Sequence, residues 1–281
     1  MRTIRQELFL ISAWAVAALA VFLVGLWGYG VWHDEWSGYN TSLSISDGFC
    51  NIAVASINGD ITTIDGTTTT EGEESSPTTN ADDVISLLRA AEADPDILGV
   101  IINIDSLGGA PVASELIATA LKNLSLPTVA LIREFGTSGG YLVATGADTI
   151  IASPFSDVGS IGITLSYLEN WEKNAKEGLR FVSLSSGKYK DYGNPDKPLT
   201  ADERTLLERD LKIYHDQFVK EVAENRNLPV ENVSKLADGS SMPGELALQN
   251  KLVDALGDQE TARAWFAEQL GKSREEIIFC E

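Results

Sequence analysis

One serine in this sequence is framed by glycines. Gly136-Thr137-Ser138-Gly139-Gly140 fits the pattern Gly-x-Ser-x-Gly. Glycines on both sides let the backbone turn sharply and leave a hydroxyl exposed where a helix begins. The first amides of that helix and its dipole would favour negative charge at the same spot. A plain strand-to-helix turn with Ser138 as N-cap satisfies the same five residues. A serine nucleophile needs a base. The chain holds two histidines, His33 and His215. His33 follows a long apolar run, and His215 falls inside a helical pattern, so neither is placed like a catalytic histidine. A lysine can serve instead if its surroundings lower its pKa from about 10.4. Lys188 and Lys190 lie in Gly187-Lys188-Tyr189-Lys190-Asp191-Tyr192-Gly193. Composition does not rank one above the other, and a basic surface loop fits both. Gly108-Gly109 directly follows an apolar strand. Such a pair brings backbone amides close to a substrate oxygen, or simply turns the chain.

These residues must be positioned by elements. Asn51–Ile57 reads as a buried strand closed by Asn58-Gly59, and Leu98–Ile104 as a strand with no polar alternation. Such runs suit a parallel sheet covered on both faces. Further strands are expected at Thr128–Ile132, Thr149–Ala152 and Arg180–Leu184, with a turn and strand over Gly159–Thr164. Helices are expected over Ala81–Ala93, Val112–Leu124, Tyr141–Ala147, Tyr167–Glu177, Gly244–Asn250 and Glu260–Leu270. Thr200-Ala201-Asp202-Glu203 has the capping-box pattern and opens a long helix. Leu207, Leu211, Tyr214, Phe218 and Val222 line one of its faces. Strands alternating with helices predict an α/β domain with a largely parallel sheet. Gly66–Asn80 is a low-complexity acidic loop.

Leu8–Trp32 is a run of 25 residues without a charge, about 37 Å as a helix and enough to span a bilayer with tilt. Arg2 and Arg5 precede it; Asp34 and Glu35 follow. The positive-inside rule then puts the N-terminus in the cytoplasm and the rest outside. A cleaved signal peptide is the rival, but its apolar region is shorter. The expected organisation is residues 1–32 as cytoplasmic N-terminus and anchor, 33–48 as linker, 49–271 as one domain, and 272–281 as a C-terminal tail. The net charge of −20 disfavours nucleic acid as a partner. Cys50 and Cys280 form no C-x-x-C motif, so no zinc or redox site is expected. Both lie beyond the membrane in this topology, where a bridge could persist. Two free thiols are the expectation, because sequence does not establish proximity.

Taken together and in order, Gly136–Tyr141 (GTSGGY), Gly159–Gly162 (GSIG), Gly187–Asp191 (GKYKD) and Leu252–Gly257 (LVDALG) resemble the signal peptide peptidase A family of serine peptidases. The resemblance covers about Asn51 to Gly271, and the single anchor matches its short bacterial members. It implies a crotonase-like α/β fold shared with the Clp protease subunit. It implies Ser138 as nucleophile, Lys190 rather than Lys188 as general base, and Ser160 as the hydroxyl that orients the lysine. Gly109 and Gly139 would supply the oxyanion amides. It further implies a homo-oligomer in which Ser138 and Lys190 meet across a subunit boundary. Cleaved signal peptides and other membrane-derived peptides would be the substrates, at the bacterial cytoplasmic membrane with the domain on the extracytoplasmic side. No cofactor or metal would be needed.

The sequence departs from the family pattern at three places. Asp105-Ser106-Leu107-Gly108-Gly109 stands where the family reads Asn-Ser-Pro-Gly-Gly, and Thr137 stands where a small apolar residue is common. Losing the proline removes a rigid φ. A negative Asp105 near the site would oppose deprotonation of Lys190. Two rival readings share the fold: a catalytically idle membrane scaffold, and a crotonase-type acyl-CoA enzyme.

Overall fold

The computed structural model describes residues 45–64 and 77–280; the expected anchor, most of the expected linker and most of the acidic loop lie outside them. Among the described residues no helix is long and apolar enough to cross a membrane. In chain order the elements are β1 (Ile52–Thr62), β2 (Thr78–Asn80), α1 (Ala81–Ala93), β3 (Gly99–Gly109), α2 (Pro111–Lys122), β4 (Thr128–Thr137), α3 (Gly139–Ala144), β5 (Thr149–Ala152), β6 (Asp157–Gly159), α4 (Trp171–Lys176), α5 (Ala201–Asn225), α6 (Val230–Leu236), β7 (Ser241–Pro243), α7 (Gly244–Gln249), β8 (Ala255–Leu256) and α8 (Gln259–Leu270).

The sheet runs β2-β1-β3-β4-β5-β8 with every neighbour parallel. A side branch pairs β6 with the end of β4 in parallel, and β7 with β6 antiparallel. Helices cover both faces, which is why the central strands carry no polar alternation. Val100, Ile102 and Ile104 face one apolar cluster with residues of α1, α2, α3 and α5. Ile101, Val129, Leu131 and Ile151 face the other, against Ala262 and Phe266 of α8.

The expected α/β class and α1 hold, and so does the capping box of α5: Thr200 Oγ1 accepts from the Glu203 amide, and Glu203 Oε2 accepts from the Thr200 amide. Several boundaries do not. Asn58-Gly59 does not end β1; it makes a bulge, and the strand continues to pair Ile61 with Gly109. Likewise β3 and β4 run on to Gly109 and Thr137, past the expected ends. Arg180–Leu184 is not a strand, and the expected helix Tyr167–Glu177 is reduced to α4. From about residue 164 to 192 the chain leaves the core. Leu168 and Leu184 stand 85% and 96% exposed, so local apolar pattern found no surface there to pack on. The stripe along α5 divides in the same way. Phe218 and Val222 are buried, whereas Tyr214 is 57% exposed.

Cys50 and Cys280 are disulfide-bonded, with Cα atoms 5.1 Å apart, which corrects the expectation of two free thiols. The cause is a long-range return of the chain. Phe279 bridges Ile52 in parallel, and the Cys280 amide donates to Ile52 O at 2.8 Å. Ile277 and Phe279 are buried, so residues 272–280 close one end of β1. Just before β1, Asp94 Oδ2 accepts the Ile45 and Ser46 amides at 2.9 and 3.0 Å.

Candidate active site

Ser138 sits between the end of β4 and the start of α3 with φ 51° and ψ −121°. A non-glycine residue there is strained by about 1–3 kcal/mol and persists only where its surroundings fix it. The fixing bonds are the Ser138 amide to Gly159 O at 2.7 Å and the Leu142 amide to Ser138 O at 3.0 Å. Although Ser138 occupies the N-cap position, its side chain makes no capping bond. That removes the plain N-cap reading and leaves Oγ turned to a cavity lined by Ser138, Gly139 and Gly109.

The two glycine turns meet here. A Cβ built on Gly108 would lie 2.9 Å from the Gly139 nitrogen and 3.1 Å from Ser138 Oγ. One built on Gly139 would lie 3.3 Å from the Gly109 nitrogen. Gly108 has φ +120°, and a Cβ on Gly109 would strike the Ile61 backbone at 2.2 Å. Only glycine brings these two chain segments so close. Ser106, part of the quoted motif but given no role from sequence, holds the first turn. Its Oγ donates to Gly59 O at 2.6 Å and accepts the Gly108 amide at 3.1 Å. Asp105, expected to place charge near the site, turns away: its Oδ1 accepts the Phe135 amide at 3.1 Å, and it lines a separate cavity with Arg133 and Glu134.

Ser160 is brought near by the pairing of Thr137 with Gly159. It has φ 49°, and its Oγ donates to Gly239 O at 3.0 Å, not to a lysine. Lys190 is exposed on the extended arm. It is absent from the walls of the Ser138 cavity. So the single chain unites Ser138, Gly109 and Gly139, places Ser160 beside them, and leaves Lys190 elsewhere. Lys188 is held in its charged form: the Tyr189 hydroxyl first, then the Asp202 carboxylate at 2.9 Å, push its pKa above the ordinary lysine value. A base needs the opposite shift. His215 donates from Nε2 to Ala237 O at 2.8 Å, a structural bond. Among the described residues no group of His, Cys, Asp and Glu could hold a metal ion.

The LVDALG segment anchors the site from behind. Leu252 O accepts the hydroxyl of buried Tyr141 on α3 at 2.8 Å. Asp254 accepts the Ile150 amide at 2.7 Å and two bonds from Arg226, at 2.6 and 2.9 Å. Gly257 donates to Ala152 O at 2.9 Å. Sequence could flag the segment only through the resemblance, because Arg226 and Tyr141 lie far from it in the chain.

Comparison with known proteins gives a consistent result. The profile of Peptidase family S49 matches residues 120–273, which include Ser138, Ser160, Lys190 and the LVDALG segment. A protein of Methanocaldococcus jannaschii named as a protease is 35% identical over 196 residues, 69% of this chain and 63% of its own. One of Enterococcus faecium named as a signal peptide peptidase is 30% identical over 188 residues, 65% of this chain and 54% of its own. The chain thus spans little more than half to under two thirds of these relatives. A membrane-bound stomatin-specific protease of solved structure superposes with a TM-score of 0.52 at 16% identity, covering 76% of this chain and 84% of its own. That likeness speaks to the fold.

Proposed function

Since the chain belongs to peptidase family S49, the signal peptide peptidase A family, we propose that it is a membrane-anchored serine endopeptidase whose Ser138–Lys190 dyad is completed between subunits. The observation that carries the proposal is the uncapped, strained Ser138 facing the same cavity as the Gly109 and Gly139 turns. In the reaction a neutral Lys190 takes the proton of Ser138 Oγ as the oxygen attacks the peptide carbonyl carbon. The amides of Gly109 and Gly139 receive the oxyanion. The Lys190 ammonium then protonates the leaving nitrogen, the C–N bond breaks, and an ester to Ser138 remains. Lys190 next takes a proton from water, whose oxygen attacks the ester, and returns it to Ser138 Oγ as the acid product departs.

Two features support Lys190 coming from a neighbouring copy. The arm that carries it exposes Leu168, Leu179, Val182 and Leu184, an apolar surface expected to be covered in an assembly. The middle of α5 likewise exposes Ile213. Packing there would desolvate Lys190 and favour its neutral form, with Ser160 near enough to orient it. The cavity's apolar walls, among them Val112, Leu142, Ile163 and Phe218, suit membrane-derived peptides, and Leu8–Trp32 would hold the domain beside them.

The test is complementation. Ser138→Ala and Lys190→Ala are each expected to abolish cleavage of a fluorogenic peptide while keeping the oligomeric mass. Co-assembled one to one, they should regain about a quarter of wild-type activity, because a head-to-tail contact pairs an intact serine with an intact lysine at one site in four. Two dead variants that stay dead together would place the dyad within one chain. Either variant alone remaining active would mean that the residues are wrong.

A further inference from the structure

The cavity beside Ser138 has a volume of about 190 Å³, room for one large side chain. Its walls come from α2 (Pro111, Val112) and α5 (Phe218), with Leu142 and Ile163. On α5, Tyr214, Gln217, Phe218 and Glu221 fall at i, i+3, i+4 and i+7, so one stripe faces the cavity. Glu115 on α2 also lines it. Glu115 and Glu221 are the only acidic or basic side chains of ordinary charge among the lining residues.

Among the described residues neither carboxylate is in an ion pair. Glu221 is half-buried, and its Oε1 accepts only the Gln217 amide, at 2.7 Å. The cations nearest in sequence are engaged elsewhere. Lys122 donates to Asn225 Oδ1 at 2.8 Å, and Lys220 pairs with Glu224 at 3.7 Å. The Lys122–Asn225 bond ties the C-terminal ends of α2 and α5 together one helical turn beyond Glu221. Asn225 also donates to Thr145 Oγ1 at 3.0 Å. The cleft therefore opens toward Gly109 and Ser138 and is tied off behind Glu221. An apolar passage ending in a half-buried carboxylate with no cation partner complements a side chain with an aliphatic stem and a cationic tip.

We propose that this cavity takes a lysine or arginine side chain of the substrate next to the scissile bond, with Glu221 as the principal specificity-determining residue and Glu115 as its second. The inference rests on the peptidase reading for its location and extends it to the chemistry of the residue that is recognised.

The experiment uses the full-length chain and one peptide frame ending in lysine, arginine, norleucine or glutamate before a coumarin amide. Norleucine matches the lysine stem without its charge. The expected result is kcat/KM about tenfold higher for lysine and arginine than for norleucine. Glu221→Gln should lower the lysine-to-norleucine ratio about tenfold, and Glu115→Gln less. A norleucine rate equal to or above the lysine rate overturns the proposal, as does a ratio that Glu221→Gln does not move. A change of assembled mass by light scattering in Glu221→Gln would assign the carboxylate to a subunit contact and overturn it too. Binding of the lysine and norleucine peptides to Ser138→Ala, by fluorescence anisotropy, separates this inference from the peptidase reading. A lysine preference in binding with no hydrolysis by wild type sustains the pocket and removes the peptidase. Hydrolysis with no lysine preference does the reverse.

Discussion

The oxyanion turn depends on a hydroxyl that reaches across the sheet. Ser106 Oγ is bonded to Gly59 O and to the Gly108 amide, adding a side-chain tie to the pairing of Gly108-Gly109 with β1, while Leu107 points outward at 64% exposure. Ser106→Ala should leave the bulge carbonyl unpaired and loosen the turn. Stability should fall by about 1–2 kcal/mol, read by urea titration. With the amides displaced from the developing charge, kcat should fall about tenfold with KM little changed; an equal loss in KM would show that Ser106 shapes substrate binding instead. At this scale the sequence disclosed the serine and its glycines, because flanking glycines leave a local mark. Ser106's role was hidden because its partner, Gly59, lies in a bulge that reads locally as a strand end. Asp105 was misjudged for a related reason. Its charge is visible in sequence, but the Phe135 amide that captures it is not.

Among the elements, α5 shows most directly what pattern reveals and what it omits. Its capping box was readable, since Thr200 and Glu203 stand three apart and need only each other. The same Glu203 is also paired with Lys197, which sits in the stretch joining the exposed arm to the helix. The Lys197 ammonium first, then the Thr200 amide, hold the Glu203 carboxyl below the usual glutamate range. A depressed folded value means that the unfolded chain takes up the proton first. The stabilisation is therefore complete above the usual glutamate range and is lost as pH falls through the lowered folded value. Glu203→Gln should cost about 1–2 kcal/mol at neutral pH. Melting curves of variant and wild type should draw together as pH falls below the usual glutamate range, about 4.3; a gap that stays constant from neutral pH to the acid limit of folding would show that the carboxylate's charge contributes nothing. The stripe on α5 was readable too, but not which half is buried. Periodicity marks an apolar face without saying whether its cover comes from the same chain. Arg180–Leu184 misled for that reason, looking like a strand while standing outside the body.

The molecule as a whole is closed by contacts that span nearly all of the body. Cys50 and Cys280 are separated by 230 positions, and tying so long a loop restricts the unfolded chain strongly. Replacing both by serine should cost about 3–5 kcal/mol. Guanidinium titration of wild type with and without reductant, beside the double variant, measures it, and coincident curves for all three would mean that the bridge adds no stability. The parallel α/β class was legible from unbroken apolar strands, but the seam between first strand and last residues was not. It joins segments that are neighbours only once the sheet exists.

That seam has a geometric consequence. β1 and β3 run parallel from the bridged end toward Ile61 and Gly109, so eleven residues of β1, about 35 Å, separate the disulfide from the cleft. The sheet acts as a spacer, with residues 50 and 280 stitched side by side at one end of β1 and the opening at the other. A dye, tag or tether joined just ahead of Ile45 or just after Cys280 would therefore be attached at the far pole of the body, away from where a peptide enters.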